Sequence, residues 1–460
     1  MDRVSRRSFA FLCLLSGTSA VQVAAQSPGA PAAQTPNLAG RMERPLRYRP
    51  EGTDFVIENG PESFNRPLYG GNTAFRVDAG DRPEFSLYLP GRGGNLRLGI
   101  RTQAGQKWLH DADRIQARYR PGSMVYEVRD RLLGTGSLQV DALALYSAEG
   151  LILRLGLRGA DGPIDLLWAF GGVHGQRGRR DGDIGTENEP VSRWFQLRPE
   201  YCRDNAFTLD ANGFAVRSRV ATLVGVTSPG SRLALADARH WSSIQDLFAS
   251  AGGQAQLQVV TGSTVLYPGR SVVLAIRRDP RPTDDRGELA TYLEVQGRAQ
   301  ASGRSNTDGV APPVEARDTD LSAVFDQAER SRRSLAEQIV VDTPDPFINA
   351  AAAALCVAAD AVWDEPSGTV MHGAVAWRSK LLGWRGPYLN DALGRHDRAR
   401  RHIHYWAGRQ NTSPIPEKLP PADASANLSR SEAALHSNGD MSNSHYDMNL
   451  VYMDMVFRHL

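Results

Sequence analysis

Strict alternation of apolar and polar residues recurs through the first part of this chain and limits what it can fold into. From about Pro45 to Pro280, the runs Leu96-Leu98-Ile100, Leu138-Val140-Ala142-Ala144-Tyr146, Leu151-Leu153-Leu155-Leu157 and Val272-Leu274-Ile276 place an apolar side chain at every second position. Successive side chains on a strand point to opposite faces, so this period buries one face and wets the other, as in antiparallel sheets. Turn clusters separate the runs: Pro90-Gly91-Arg92-Gly93-Gly94, Pro121-Gly122, Asp161-Gly162-Pro163, Asp210-Ala211-Asn212-Gly213 and Pro268-Gly269. Many short strands at such spacing predict a large antiparallel β-sandwich over residues 45–300.

The character then changes. Residues 281–316 are polar, and 301–340 read as a linker followed by a charged bridging helix from Asp320 to Ile339. Asp345-Pro346 predicts a second helix with proline in its first turn and an Ala-rich body through Val362. Pro387 predicts the start of a third, with Leu389, Leu393, His396, Ile403 and Trp406 as its buried stripe. Ser444 and Asp447 resemble a capping box ahead of a fourth, Tyr446 to Leu460, apolar nearly all round. A length of 460 residues exceeds one ordinary core, so two domains are expected, the helical one at 341–460. So apolar a last helix leads to the expectation that the given chain stops inside a longer helical array; a helix completed by dimerisation is the alternative.

The first residues predict export. Ser5-Arg6-Arg7-Ser8-Phe9 precedes a short apolar stretch, and Val23-Ala24-Ala25 offers small residues for cleavage before Gln26. The Arg-Arg-Phe order matches a twin-arginine address, with an ordinary secretory signal as the alternative. Residues 1–25 are therefore read as a twin-arginine-type signal peptide and 26–44 as a flexible lead-in, giving a periplasmic or secreted destination. No integral membrane span is expected after its removal. Of the cysteines that remain, Cys202 and Cys356, the second sits in the Ala-rich helix and suits a buried thiol, although one disulfide is possible.

A net charge of +2 argues against a nucleic-acid partner, which needs a concentrated basic excess. The chain has no Walker-type loop, dinucleotide fingerprint or nucleophile elbow, and no cofactor is expected. Asp181-Gly182-Asp183 resembles the opening of a calcium loop but lacks the remaining ligands, so a turn is the reading. His396, His402 and His404 look like a metal cluster in print. At helical spacing His402 and, less well, His396 share a side, no acid completes the set, and no metal site is expected.

The densest functional candidate runs from Met371 to Asp391. It carries His372, two Trp-Arg pairs (Trp377-Arg378 and Trp384-Arg385) and Asp391 at a helix start. Sugars bind on aromatic faces and to planar charged groups, so Trp377, Arg378, Trp384, Arg385, His372 and Asp447 are the candidate sugar-holding residues and Asp391 the candidate catalytic carboxylate. Plainer roles compete. The tryptophans suit core or interdomain wedges, and the arginines suit ion pairs with Asp391 or Asp364. Asp391 suits an i,i+4 pair with Arg395, and Asp447 a helix cap. The long stretch 411–443 carries Glu432, His436 and Asp440, with His445 just beyond, and suits the rim of a cleft.

Arg49-Pro50-Glu51-Gly52-Thr53-Asp54-Phe55-Val56-Ile57-Glu58-Asn59-Gly60, Phe64-Asn65-Arg66-Pro67-Leu68-Tyr69-Gly70 and Pro83-Glu84-Phe85-Ser86-Leu87-Tyr88-Leu89-Pro90-Gly91 resemble an exported bacterial family, domain of unknown function 4450. So do Trp384-Arg385-Gly386-Pro387-Tyr388 and Tyr446-Asp447-Met448-Asn449-Leu450. The resemblance implies a β-sandwich followed by an α/α toroid similar to the six-hairpin glycosidases, here incomplete, and a carbohydrate substrate. It establishes no catalytic pair, and with the ring incomplete it leaves the catalytic acid in doubt. The expected activity is acid–base hydrolysis of a polysaccharide or oligosaccharide by two carboxylates. A polysaccharide lyase on the same fold, a noncatalytic glycan-binding protein and a sandwich that docks another periplasmic protein are the alternatives.

Overall fold

The structure is a computed structural model that describes residues 47–178, 189–279, 320–375, 378, 380, 388–408 and 448–460. The signal peptide, the lead-in, Asp181–Asp183 and residues 411–443 lie outside them. From Tyr48 onward the chain forms one compact unit.

Two antiparallel sheets dominate it. The first runs β1 (Arg49–Glu51), β2 (Asp54–Glu58), β8 (Arg114–Arg120), β9 (Ser123–Arg129), β10 (Ser137–Ala144), β11 (Gly150–Arg158), β18 (Ser271–Arg278), β15 (Thr222–Thr227), β14 (Gly213–Arg217) and β13 (Ala206–Leu209). The second runs β16 (Arg232–Asp237), β17 (Gln258–Leu266), β12 (Ile164–Val173), β6 (Arg92–Thr102), β5 (Glu84–Tyr88), β4 (Arg76–Ala79) and β3 (Arg66–Leu68), with β7 (Gly105–Trp108) beside β6. The alternating runs become these strands. Leu138, Val140 and Ala142 pair with Leu157, Leu155 and Leu153, and all six face the core between the sheets. Trp168 and Phe170 lie against Phe214 there, with ring centroids 5.9 and 5.8 Å away. A Cβ on Gly262 would run into the Trp168 indole, so the glycine makes the room the ring occupies.

The expectation of one buried and one wet face holds only in part, because much of the outer surface is covered too. Over β10, β11 and β18 lies helix α3 (Leu321–Ala336), which sets Leu321, Val324, Phe325 and Ala328 on Leu143, Ile152, Val273 and Ala275. Helix α1 (Val191–Trp194) and its neighbouring turn seat Trp194 and Phe195 on Phe64 and Tyr88. Helix α2 (Ile244–Ala249) helps cover Leu167, Ala169 and Val259 with Ile244 and Leu247. Burying one such aromatic or aliphatic side chain contributes about 1.5–3 kcal/mol. Outward positions on central strands are therefore apolar as well, as Ile152 between Leu151 and Leu153 shows.

Asp320 starts α3 by accepting from the Ser322 and Ala323 amides at 3.0 and 3.2 Å. Arg332, buried, donates to the Pro121 carbonyl at 2.8 Å and to Glu329, fastening the helix to the β8–β9 turn. Helix α4 (Pro346–Ala361) begins at Asp345, whose carboxylate accepts from the Phe347 amide at 2.8 Å. A short ribbon follows, β19 (Trp363–Asp364) and β20 (Thr369–Val370).

The third predicted helix is not continuous. It divides into α5 (Tyr388–Ala392) and α6 (His396–Ala407). Gly394 adopts a φ of 70° between them, and the Gly394 and Arg395 amides close back on the Asp391 and Asn390 carbonyls. The last helix is α7 (Met448–His459). Among the described residues no helix is long and apolar enough to cross a membrane.

Cys202 and Cys356 are buried free thiols, and burial pushes Cys202 up to about 12. A thiol so placed is inert at neutral pH.

Candidate functional site

The end of α4, the ribbon, the α5–α6 elbow and the end of α7 come together beside the Asn72 turn of the sandwich. At the centre is Asp360, a buried aspartate on the Ala-rich helix. Its Oδ1 accepts from Arg398 Nη1 at 2.6 Å and pairs with Arg395 Nη1 at 3.2 Å. Its Oδ2 accepts from Asn72 Nδ2 at 2.9 Å, and Arg398 closes the ring by donating to Asn72 Oδ1. A buried carboxylate persists only when its oxygens are matched in this way, and removal of one partner strands the others. Arg395 thus belongs to Asp360, and also donates to Gln338 at 2.7 Å. The i,i+4 pair expected between Asp391 and Arg395 is not formed, because the turn at Gly394 swings the arginine toward α4.

Asp391 instead meets two imidazoles. Its Oδ1 accepts from His396 Nδ1 at 2.8 Å and from His459 Nδ1 at 2.9 Å. The turn that ends α5 is what returns His396 to Asp391, and the far end of α7 brings His459. His396 is therefore not part of a buried stripe: its side chain is 61% exposed. His402 is the buried one, its Nδ1 accepting from the Val370 amide at 3.0 Å, which holds β20 to α6. His404 is exposed. The acid that the histidine series lacked in the sequence is Asp391, and the second ring is His459 rather than His402.

Among the other candidates, Arg378 is structural. Its guanidinium donates to the Ala361 and Trp363 carbonyls at 3.0 and 3.2 Å and pairs with Asp364 at 3.1 Å. The first of these bonds satisfies the Ala361 carbonyl at the end of α4, where the helix itself offers no partner. Asp364 is thus its partner, one of the two carboxylates the sequence offered. His372 is half-buried just past β20, next to a bridge between Met371 and Lys380. Trp377, Trp384, Arg385 and Asp447 lie outside the described residues, as do Glu432, His436, Asp440 and His445.

An open cleft of about 490 Å³ is lined by Asp360, Arg395, His396, Asp397 and Arg398, and Asp391 adjoins it through His396. A second cleft of about 470 Å³ shares Asp360 and Arg398 with it and extends along α3 past Arg330 and Ser334. Charged side chains stand on these walls with apolar surface, Leu335 included, between them. They suit a ligand rich in hydroxyl groups, and each volume falls in the range of small-molecule sites.

A separate buried cluster sits on the outer face of β4. Arg76 lies 4.0 Å from the centroid of the Tyr88 ring and donates to Asp78 at 3.1 Å. Among the described residues Asp78 Oδ2 has no hydrogen-bond partner, and burial pushes this carboxyl up to about 6 despite the opposing charge of Arg76.

Sequence reasoning reached Asp391 through the density of Trp, Arg and His around it. It missed Asp360, although a lone aspartate among alanines on a helix is a legible signal of a buried partner. It also missed His459, which lies 68 positions from Asp391 and shares no local pattern with it.

Comparison with known proteins adds the following. Among solved structures, a bacterial glucoamylase complexed with acarbose is similar with a TM-score of 0.43 and 9% identity over 77% of this chain and 53% of that one. The family GH92 inverting mannosidase from Bacteroides thetaiotaomicron gives 0.30 and 9% over 65% of this chain and 34% of that one. A family GH92 alpha-mannosidase from the same organism gives 0.27 and 8% over 78% and 46%. The chain thus spans about half the length of the glucoamylase and less of the mannosidases. No curated protein matches it. Residues 89–271 match the model of the family that the sequence resembles, described as Domain of unknown function (DUF4450).

Proposed function

We propose that this chain is an exported, glycoside hydrolase-like protein that acts on a polysaccharide or oligosaccharide at the junction of the sandwich and the helices. The observation that supports this reading is the cleft at His396, the partner of Asp391, in which charged side chains border a volume fit for one or two sugar rings. Export rests on the leader around Arg6-Arg7-Ser8-Phe9, and the carbohydrate class on the resemblance named above. The helices from α4 onward are read as part of an α/α toroid, a second domain that α3 bridges to the sandwich.

In acid–base hydrolysis one carboxyl protonates the leaving oxygen while a second carboxylate activates water or attacks the sugar. Asp391, whose Oδ1 accepts from two imidazoles, suits the second role: it is oriented by His396 and His459 and works as an acceptor. The proton donor is not assigned to a residue of this chain.

The experiment is incubation of the natural full-length protein with a broad panel of glycans, followed by chromatography of the products. New reducing ends support hydrolysis. Products that absorb through a new carbon–carbon double bond indicate a lyase instead. Tight glycan binding with unchanged oligosaccharides after long incubation indicates a binding protein and overturns the hydrolase reading.

A further inference from the structure

We infer that Asp391, His396 and His459 form a binding site for one divalent transition-metal ion, with Zn²⁺ the best match to the ligand set. One carboxylate oxygen and two imidazole nitrogens, one from each residue, lie within 4.8 Å of one another. They come from three places in the chain: the end of α5, the first residue of α6 and the last residue of α7. The two rings converge on the same oxygen, 2.8 and 2.9 Å away, with centroids 6.3 Å apart. A tetrahedral zinc site with bonds of about 2.0–2.2 Å sets its ligand atoms roughly 3.3–3.5 Å apart. Each imidazole therefore needs to withdraw by about half an ångström to admit the ion. Neutral imidazole binds metal through the nitrogen that carries no proton, so each ring moves its proton from Nδ1 to Nε2 on binding.

Three further features favour a metal over a simple hydrogen-bonded trio. Among the described residues no arginine or lysine pairs with Asp391, so its charge is met by imidazole alone. The Asp391 and His459 side chains are 20% and 15% exposed, whereas that of His396 is 61% exposed and lines the cleft. The site thus has a sheltered floor, an entry path and room for a fourth ligand, a water or a hydroxyl. Imidazole with one carboxylate selects zinc and its neighbours over calcium and magnesium, which take all-oxygen sets.

The ion would clip the end of α7 to the α5–α6 elbow. This inference rests on ligand geometry and not on the carbohydrate reading: zinc binding is measured whether or not the protein cleaves a glycan, so either reading can fail while the other stands. The probe is Zn²⁺ itself, titrated into the untagged, metal-free full chain in competition with a chromogenic chelator. One ion per chain is expected. His459→Ala and His396→Ala each weaken binding at least about ten-fold, and the double variant abolishes it, while His404→Ala on the same helix leaves it unchanged. Zn²⁺ also raises Tm in the unaltered protein and not in the double variant. His396 is exposed at a helix start, so its variant folds even if the His459 variant does not. Failure to bind one ion per chain, or binding that survives the double substitution, overturns the site.

Discussion

The sandwich and the helical segment handle apolar side chains in opposite ways. In the sandwich even outward positions are covered: Ile152 and Leu167 are fully buried beneath α3 and the α2 region. In the helices Ile348 and Leu355 on α4 and Met453 and Phe457 on α7 are 51%, 66%, 60% and 78% exposed. Polar ties hold that segment as much as apolar packing does. Asp360 joins α4, α6 and the Asn72 turn, Tyr388 donates to Asp454 at 2.7 Å, and Asp391 joins α5, α6 and α7. The apolar cluster beneath is small, with Trp406 and Met455 at its centre. The difference teaches that stability in the first region rests on shape, and in the second on paired charge.

The largest effect separates the two regions at once. Trp168→Ala, which empties a fully buried site between the sheets, should cost about 3–5 kcal/mol in urea unfolding. Phe457→Ala should stay within about 0.5 kcal/mol. Similar costs for the two would break the comparison. Next, Asp360→Ala strands two arginines and should cost the helical segment about 3 kcal/mol. The readout is hydrogen exchange of the α6 amides, with the β10–β11 amides unmoved; equal loss in both would show that the ion-pair hub is not local.

A third expectation concerns pH. Burial raises the folded-state pKa of Asp78 from 3.8 to about 6. Below 3.8 the carboxyl is protonated in both states and its contribution is complete. As pH rises from 3.8 to about 6 the unfolded chain gives up this proton while the folded one keeps it, so up to roughly 2–3 kcal/mol is lost, at about 1.4 kcal/mol per unit, and above 6 the loss is complete. Asp78→Asn should remove this slope, so unfolding free energies of the two proteins should diverge between about pH 4 and 6 and run parallel above it; parallel curves across pH 4 to 6 would contradict it. A smaller loss is expected at the elbow. Among the described residues nothing obstructs a side chain at Gly394, so Gly394→Ala should cost about 1–2 kcal/mol, through its left-handed backbone alone. A neutral result would mean that the elbow relaxes.

The alternating strands were legible because period two is a local property, and runs such as Leu138-Val140-Ala142 carry it within a few residues. Coverage of the outer faces was not, since Ile152 reads the same whether a helix or water lies above it. The division of the third helix was foreshadowed by Leu393-Gly394, yet the apolar stripe across it invited one continuous helix. At the site, Asp391 stood out by its neighbours in sequence. Its partner His459 and the buried tie at Asp360 depend on contacts between distant segments, and no spacing rule reaches them.

The central claim is that Asp391 serves chemistry on a glycan. The most direct measurement is the rate of reducing-end release by the natural full-length protein and by its Asp391→Asn variant, with circular dichroism showing both folded. The account predicts hydrolysis by the unaltered protein and a loss of at least about a hundred-fold in the variant. Equal rates in the two proteins would contradict it.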